Sequence, residues 1–388
     1  MRGLCVSIDL PGHLDWGGYL ATAVELTRRG HRMVWASGEG VQQMVQARGL
    51  TFAPLAVSGW WHDLLPLPPR LGPAERQARR QQRALAVWLN PDTVLAALAE
   101  LLDLAAALRP QVILAEPYAA AGVLLAEKLG LPLVIVGRPA LPPAEFGHPA
   151  ASLIQQLLER AQVAGAYWDL AGGTPRSPQL HLDFFCRDWY TDLPDIGSQT
   201  LFCGGAAPRI SDAPGPEGRL RVLVTLGSTF SDDETFFRLA AESAVMAGAA
   251  SLLAVGRRTP LLLASLQEAA PPGCQVEAWV DFAQVLPHMA AVVHHGGVGT
   301  THAALLHGLP QIAVPHAGDQ WSQAARVTQS GVGYGIRPRD FNLANAPLTL
   351  AQILYDPPFR ANAAALAAQM QALGGVAAAA DAVERLTA

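Results

Sequence analysis

The chain has 388 residues, of which 51% are hydrophobic and 15% charged, and its formal net charge is −5. That length accommodates two domains with separate cores, the composition excludes extensive disorder, and the charge leaves no nucleic-acid footprint. Cys5, Cys186, Cys203 and Cys274 are scattered, with no C-x-x-C pair and no metal-ligand spacing, which points to a reducing cytoplasm.

Met1 and Arg2 lead directly into an apolar run with no long apolar core and no small-residue cleavage site, so no secretory signal is expected. Leu4 to Ile8 reads as the first strand, Gly18 to Arg29 as a helix closed by Gly30, and His31 to Ala36 as the next strand. Val94 to Leu108 is strongly apolar, but Glu100 and Asp103 interrupt it, which predicts a packed amphipathic helix over a membrane span. Val112 to Ala115, Ala119 to Leu129 and Leu133 to Val136 continue the strand–helix–strand alternation. From Cys203 to Gly218 the chain turns to Gly, Pro, Ser and Asp, the composition of a linker. A second series then begins, with strands at Arg221 to Thr225, Ser251 to Val255, Gln275 to Ala278, Ala291 to Val293 and Gln311 to Val314. Short β-branched runs alternating with helices predict an α/β fold of parallel sheets covered on both faces.

The most informative stretch is residues 294–320, which runs His-His-Gly-Gly-Val-Gly-Thr-Thr, passes through Gly308-Leu-Pro310 and Val314-Pro315, and ends in Gly318-Asp319-Gln320. Gly296, Gly297 and Gly299 permit a tight turn and close approach to a ligand, and Thr300 and Thr301 sit where a helix begins. Free amides and the helix dipole favour an anion there. His295 can donate to a phosphate oxygen in either protonation state. Asp319 and Gln320 supply the acceptor and the donor that sugar hydroxyls need.

In order and spacing this string resembles the donor-binding signature of family-one glycosyltransferases of the GT-B fold. The similarity is greatest to bacterial natural-product, macrolide and sterol enzymes within the UDP-glucuronosyl/glucosyltransferase superfamily. The resemblance implies two facing Rossmann-like domains with an interdomain cleft. An acceptor domain would occupy residues 1–203, a linker 204–218 and a donor domain 219–370, with residues 371–388 forming a helix that crosses back to the first domain. It also implies that His295 contacts the diphosphate and that Asp319 and Gln320 hold the donor sugar.

Further roles follow from position. Gly227, Ser228 and Thr229 end the first strand of the second half, where amides and hydroxyls could meet a phosphate; a plain strand-to-helix turn is the alternative. Trp279 and Val280 stand where the family stacks a ring on the nucleobase, a core tryptophan being the alternative. The resemblance makes His13, in the first strand–helix loop, a general base for an inverting displacement, although this loop is two residues longer than the usual form. Glu116 takes the place of the family's orienting carboxylate, with Asp15 as a rival.

Ala303 stands where plant enzymes carry a ribose-binding glutamate, which leaves both UDP and dTDP donors open. Adjacent acids occur at Asp232 and Asp233, but no Asp-x-Asp pair is placed to hold a metal, so transfer is expected to need no metal and no cofactor beyond the nucleotide-sugar co-substrate. Trp16, Tyr19, Trp60 and Trp61 indicate an apolar hydroxylated acceptor, a natural product or a lipid. Arg70, Arg76, Arg79, Arg80 and Arg83 form a basic segment that could rest on the inner face of an anionic membrane, a solvated helical face being the plainer alternative. Two other functions compete with transfer: a nucleotide-sugar 2-epimerase or hydrolase of the same fold, and a catalytically silent homologue acting as a helper subunit.

Overall fold

The computed structural model describes residues 1–14, 18–60, 73–137, 147–193, 195–205, 218–227, 233–256, 260–316 and 318–387. The chain divides into two compact units. The first comprises Met1–Phe184, Ile196–Cys203 and Val376–Ala388, and the second Phe185–Asp195 and Gly204–Gly375.

The first unit is built on strands β1 (Arg2–Val6), β2 (Arg32–Ser37), β3 (Thr51–Pro54), β4 (Val112–Ala115) and β5 (Leu133–Val136). A small antiparallel hairpin, β6 (Trp168–Asp169) and β7 (Thr174–Pro175), precedes β8 (Leu180–Asp183) and β9 (Thr200–Phe202). The main sheet is parallel throughout, in the order β3-β2-β1-β4-β5-β8-β9. Side chains alternate across it. Leu4 and Val6 of β1 enter one core with Leu101, Val123 and Ile135, while Cys5 enters the other with Leu26, Trp35 and Leu114. Both faces are therefore buried, which is why these strands read as continuous apolar runs.

The second unit carries β10 (Arg221–Thr225), β11 (Ala250–Ala254), β12 (Cys274–Glu277), β13 (Ala291–His294), β14 (Gln311–Ala313) and β15 (Gly333–Gly335). They form a parallel sheet in the order β12-β11-β10-β13-β14-β15. In each sheet the strand order reverses once, between β1 and β4 in the first and between β10 and β13 in the second. Loops leaving the carboxyl ends of strands on either side of such a reversal diverge, and ligands bind in the crevice they leave.

The unit boundaries differ from the expected ones in two places. Residues Phe185–Asp195, inside the expected first domain, belong to the second unit. Phe185 stacks on Trp189 with centroids 5.7 Å apart and meets His302 edge-on at 5.0 Å. Trp189 Nε1 donates to Gln323 Oε1 at 3.1 Å, and Arg326 forms a forked pair with Asp192 at 2.7 and 3.0 Å. The segment thus clamps the helices Val298–Leu306 and Gln320–Gln329. The returning helix is Gly375–Leu386; Ala379, Ala380, Ala382 and Val383 complete the core on one face of the first sheet. Most of the expected linker, residues 206–217, lies outside the described residues.

The stretch Pro357–Leu386 is long and apolar enough to cross a membrane by length and composition alone. It is two helices, Pro357–Ala372 and Gly375–Leu386, separated at Gly374, whose φ of 85° is left-handed. The second of them is a core helix of the first unit.

Candidate functional site

In the first unit, β1 ends at Val6 and the chain leaves through buried Ser7 and Ile8 to a single 3-10 turn, Pro11–His13, with Pro11 fixing φ at its start. The His13 amide donates to the Leu10 carbonyl at 3.0 Å. Across the strand reversal, β4 delivers Glu116, which is buried at 4% exposure. One carboxylate oxygen, Oε1, accepts from the Ile8 amide at 2.7 Å; the other lies 2.8 Å from His13 Nδ1.

This pairing assigns the tautomer. A carboxylate only accepts, so Nδ1 carries a proton, and in the neutral ring the lone pair is on Nε2. The imidazole is about one third exposed, and its Glu116 partner is buried. Proton uptake at Nε2 would create an imidazolium already paired with a carboxylate. Around it stand Tyr118, with its ring centroid 5.2 Å away, and Trp60 at 6.3 Å, while Trp88 packs edge-on against Tyr118 at 5.5 Å. Neither Tyr118 nor Trp88 was marked by the sequence. Tyr118 lies just past the strand end that supplies Glu116, which was the available signal.

Tyr19, expected to line the acceptor site, does not. It is 2% exposed, and its hydroxyl donates to the Leu114 carbonyl at 2.8 Å and accepts from the Val6 amide at 3.0 Å. Burial drives its phenol well above the ordinary range. Its ring fills the core against Trp35, 4.4 Å between centroids, because the first residue of the helix Tyr19–Arg28 faces the sheet. Trp16, Trp61 and Asp15 lie outside the described residues, as do Arg70 and the side chains of Arg76 and Arg80.

In the second unit, the loops after β10 and β13 meet across the other reversal. His295 follows β13 and is buried. Gly227, with φ 69°, lies over its ring; a Cβ there would stand 2.8 Å from Cε1. On the other side, a Cβ at Gly297 would collide with Nε2. The histidine is thus wedged between two glycines, and a Cβ at either place would force the ring or the backbone to shift. Gly296, with φ 80°, brings the turn onto the loop after β14, where a Cβ would meet the Gln320 carbonyl at 2.9 Å.

The turn opens the helix Val298–Leu306, whose first residues include Gly299 and Thr300. Gly297 is its N-cap, and among the described residues no side chain caps it. First-turn amides and the positive end of the dipole therefore stand beside His295, the arrangement that receives an anion. Burial, and after it the neighbouring His316, lowers the His295 pKa to about 4; Asp319 opposes the shift. The ring is neutral at physiological pH.

Asp319 begins the helix Gln320–Gln329 and is half-buried. Gln320 is buried, and its Oε1 accepts from the His316 amide at 2.7 Å, so this oxygen is occupied in holding the loop. His316 escaped the sequence reading. Its Nδ1 donates to the Val314 carbonyl at 2.8 Å, and its Nε2 stands 3.5 Å from Asp233 Oδ2. Asp233 also caps the helix Glu234–Met246, accepting from the Phe236 amide at 3.0 Å. Trp279, where a core position was the alternative, is 56% exposed just past β12, and Val280 packs into the core beside it. Ser228, Thr229 and Asp232 lie outside the described residues. Among the described residues, no three His, Cys, Asp or Glu side chains cluster as metal ligands.

The model of the C-terminal domain of erythromycin biosynthesis protein CIII-like proteins matches residues 262–386. An elloramycin glycosyltransferase of Streptomyces olivaceus is 32% identical over 270 residues, which cover 68% of this chain and 65% of that protein. An L-demethylnoviosyl transferase of Streptomyces niveus is 27% identical over 373 residues, 93% of this chain and 92% of its own. Among solved structures, the glycotransferase of kitacinnamycin superposes with a TM-score of 0.81 at 24% identity, covering 100% of this chain and 99% of the other. A spinosyn rhamnosyltransferase complexed with thymidine diphosphate gives 0.73 at 23%, covering 99% and 100%. The fold is common to these structures, and the glycine-rich turn after β13 lies within the matched C-terminal model. In sequence and in fold the chain is similar to family-one glycosyltransferases of the GT-B fold.

Proposed function

We propose that the protein transfers a hexose from a deoxythymidine or uridine diphosphate sugar to a hydroxyl of an apolar natural product, with inversion at the anomeric carbon. The observation that carries this reading is the His13–Glu116 pair at 2.8 Å. With Nδ1 held by the carboxylate, Nε2 takes the acceptor's proton while the hydroxyl oxygen attacks the anomeric carbon and the nucleoside diphosphate departs. One displacement inverts the configuration. Thymidine diphosphate in a solved neighbour favours the deoxythymidine donor.

On the donor side, the neutral His295 donates to a diphosphate oxygen, and the amides at the start of Val298–Leu306 meet the developing charge. Asp319 accepts from sugar hydroxyls, and Trp279 offers its exposed ring to the base. Gln320, whose Oε1 is engaged by the His316 amide, stands with Asp319 on the sugar side. These donors stabilise the diphosphate charge by hydrogen bonding, and the reading calls on no metal. Tyr118 and Trp60 beside the base supply the apolar wall that a flat aglycone needs. Nucleotide sugars and four free cysteines suit a cytoplasmic location.

The test is a thermal-shift titration of the purified protein with dTDP, UDP, GDP and their common hexose conjugates, followed by an acceptor screen with phenolic and aliphatic polycyclic alcohols. Selective stabilisation by one nucleotide and an anomerically inverted product are expected. Absence of any shift, or a product with retained configuration, would sink the proposal.

A further inference from the structure

The residue before the diphosphate-contacting histidine has no part in the reading above, yet it stands at the centre of a buried polar chain. His294 ends β13 with its side chain wholly buried. Its Nδ1 accepts from the Gly296 amide at 3.1 Å, and its Nε2 lies 2.9 Å from Gln311 Oε1 on β14. The Gln311 amide nitrogen points on to the Thr301 carbonyl at 3.5 Å, within the helix Val298–Leu306.

The donor and acceptor roles in this chain have one solution. A backbone amide can only donate, so Nδ1 must be bare and the proton must sit on Nε2. Nε2 then donates to the Gln311 oxygen, which directs the Gln311 NH2 toward the helix. Burial pushes the His294 pKa down to about 3, so this neutral form persists over the working pH range. Three pieces of the donor site are tied through one ring: the left-handed turn at Gly296, the neighbouring strand, and the first turns of the helix that follows.

We infer that His294 is a positioning residue for the diphosphate turn: by accepting the Gly296 amide it fixes the bend that aims His295 and the helix N-terminus at the donor. The inference rests on the reading of that turn as the diphosphate site. Without an acceptor at this point, the buried Gly296 amide loses its partner, and the turn reorients to recover one.

Two substitutions separate positioning from general stability. His294→Phe keeps the volume and removes the acceptor. His294→Asn places Oδ1 near the position of Nδ1 and so keeps the acceptor, but cannot reach Gln311. Both variants lose the link to Gln311 and should melt below the wild type. In calorimetric titrations with dTDP and UDP, only His294→Phe should bind about tenfold more weakly, the scale of one orphaned buried amide. Equal losses in both variants, or no loss in either, would overturn the proposal. Should His294→Phe fail to fold, His294→Leu serves instead; it likewise removes the acceptor for the Gly296 amide and should weaken binding by a similar factor, and wild-type affinity in that variant overturns the inference. If the wild type binds neither nucleotide while His295→Ala behaves identically, the diphosphate reading falls and takes the ligand role of His294 with it. Amide exchange at Gly296, protected in the wild type and in His294→Asn and lost in His294→Phe, then decides whether His294 holds the turn at all.

Discussion

Glu116 holds His13 with one oxygen and the backbone of the loop that carries His13 with the other: 2.8 Å to Nδ1 and 2.7 Å to the Ile8 amide. A single buried carboxylate therefore sets both the ring's tautomer and the position of the peptide five residues before it. Glu116→Gln retains an oxygen for Ile8 but withdraws the charge that stabilises the imidazolium. Turnover should fall by about two orders of magnitude, with nucleotide affinity unchanged. His13→Ala should abolish transfer with equally little effect on nucleotide binding. Steady-state kinetics beside calorimetry check both, and unaltered turnover in His13→Ala removes the general base.

Asp319 is tested by comparing ligands. Asp319→Ala should weaken binding of the sugar nucleotide by about tenfold or more while changing the bare nucleoside diphosphate far less, since a lost charged hydrogen bond is worth about 1.5–3 kcal/mol. Equal losses for the two ligands would refute its contact with the sugar.

The glycines around His295 make a steric prediction. Gly227→Ala introduces a methyl group 2.8 Å from the ring at a backbone φ of 69°, and Gly297→Ala drives one into Nε2. Each should raise the donor KM by about tenfold or more and lower stability by about 1–3 kcal/mol. Gly30→Ala, with open space around it and a φ of 88°, is the control for backbone strain alone. If the control raises the donor KM as much as the other two, the wedge has no functional meaning.

The buried histidines set an acid limit. His181, His294 and His295 have pKa values lowered to about 4, 3 and 4 by burial, against 6.5 when exposed. Between pH 6.5 and about 4 the unfolded chain takes up protons that the folded chain refuses. Their contribution to stability is thus complete above pH 6.5 and is lost as pH falls towards 4. The melting temperature should be level from pH 7 to 8 and fall steeply below 6. Replacing His181 with Gln should make that fall shallower; an unchanged slope would show that His181 already titrates normally.

The parallel sheets and the glycine-rich turn after β13 were legible because their signals are local. Apolar runs of four or five residues mark doubly covered strands, and His295-Gly296-Gly297 is a turn whose chemistry is written in consecutive letters. What escaped depends on distant partners. Leu180–Asp183 contains a histidine and an aspartate and does not read as a strand, yet all four residues are buried, and His181 Nε2 accepts from the Ser177 amide. Gly333–Gly335 is a strand because β14 lies beside it. Phe185–Asp195 carries no mark of its unit, which is fixed by Gln323 and Arg326 more than 130 positions away. Tyr19 was misplaced for the opposite reason: an aromatic residue near a functional loop resembles a ligand contact until its hydroxyl is seen to join β1 and β4.

Val383 offers a direct test of the returning helix. It is fully buried in the first unit's core, and Val383→Asp should destabilise that unit by about 3 kcal/mol or more, as expected for an unpaired charge placed among apolar side chains. Circular dichroism melts would register it, and a wild-type melting point would show the helix to be dispensable.

That helix also bears on how the chain is made. Arg29 pairs with Asp381 and Glu384, His31 Nε2 lies 2.7 Å from Glu384, and the Met1 amino group lies 3.0 Å from the other nitrogen of the same His31. A ribosome releasing roughly 5–20 residues per second delivers β1 to β9 long before it delivers residues 376–388. The first unit must wait with part of one face of its sheet uncovered while residues 204–375 are synthesised. The first unit therefore completes its core only after residues 204–375 have been made, and the apolar seam that Val383 and its neighbours cover is the surface that chaperones or aggregation would find in the interval.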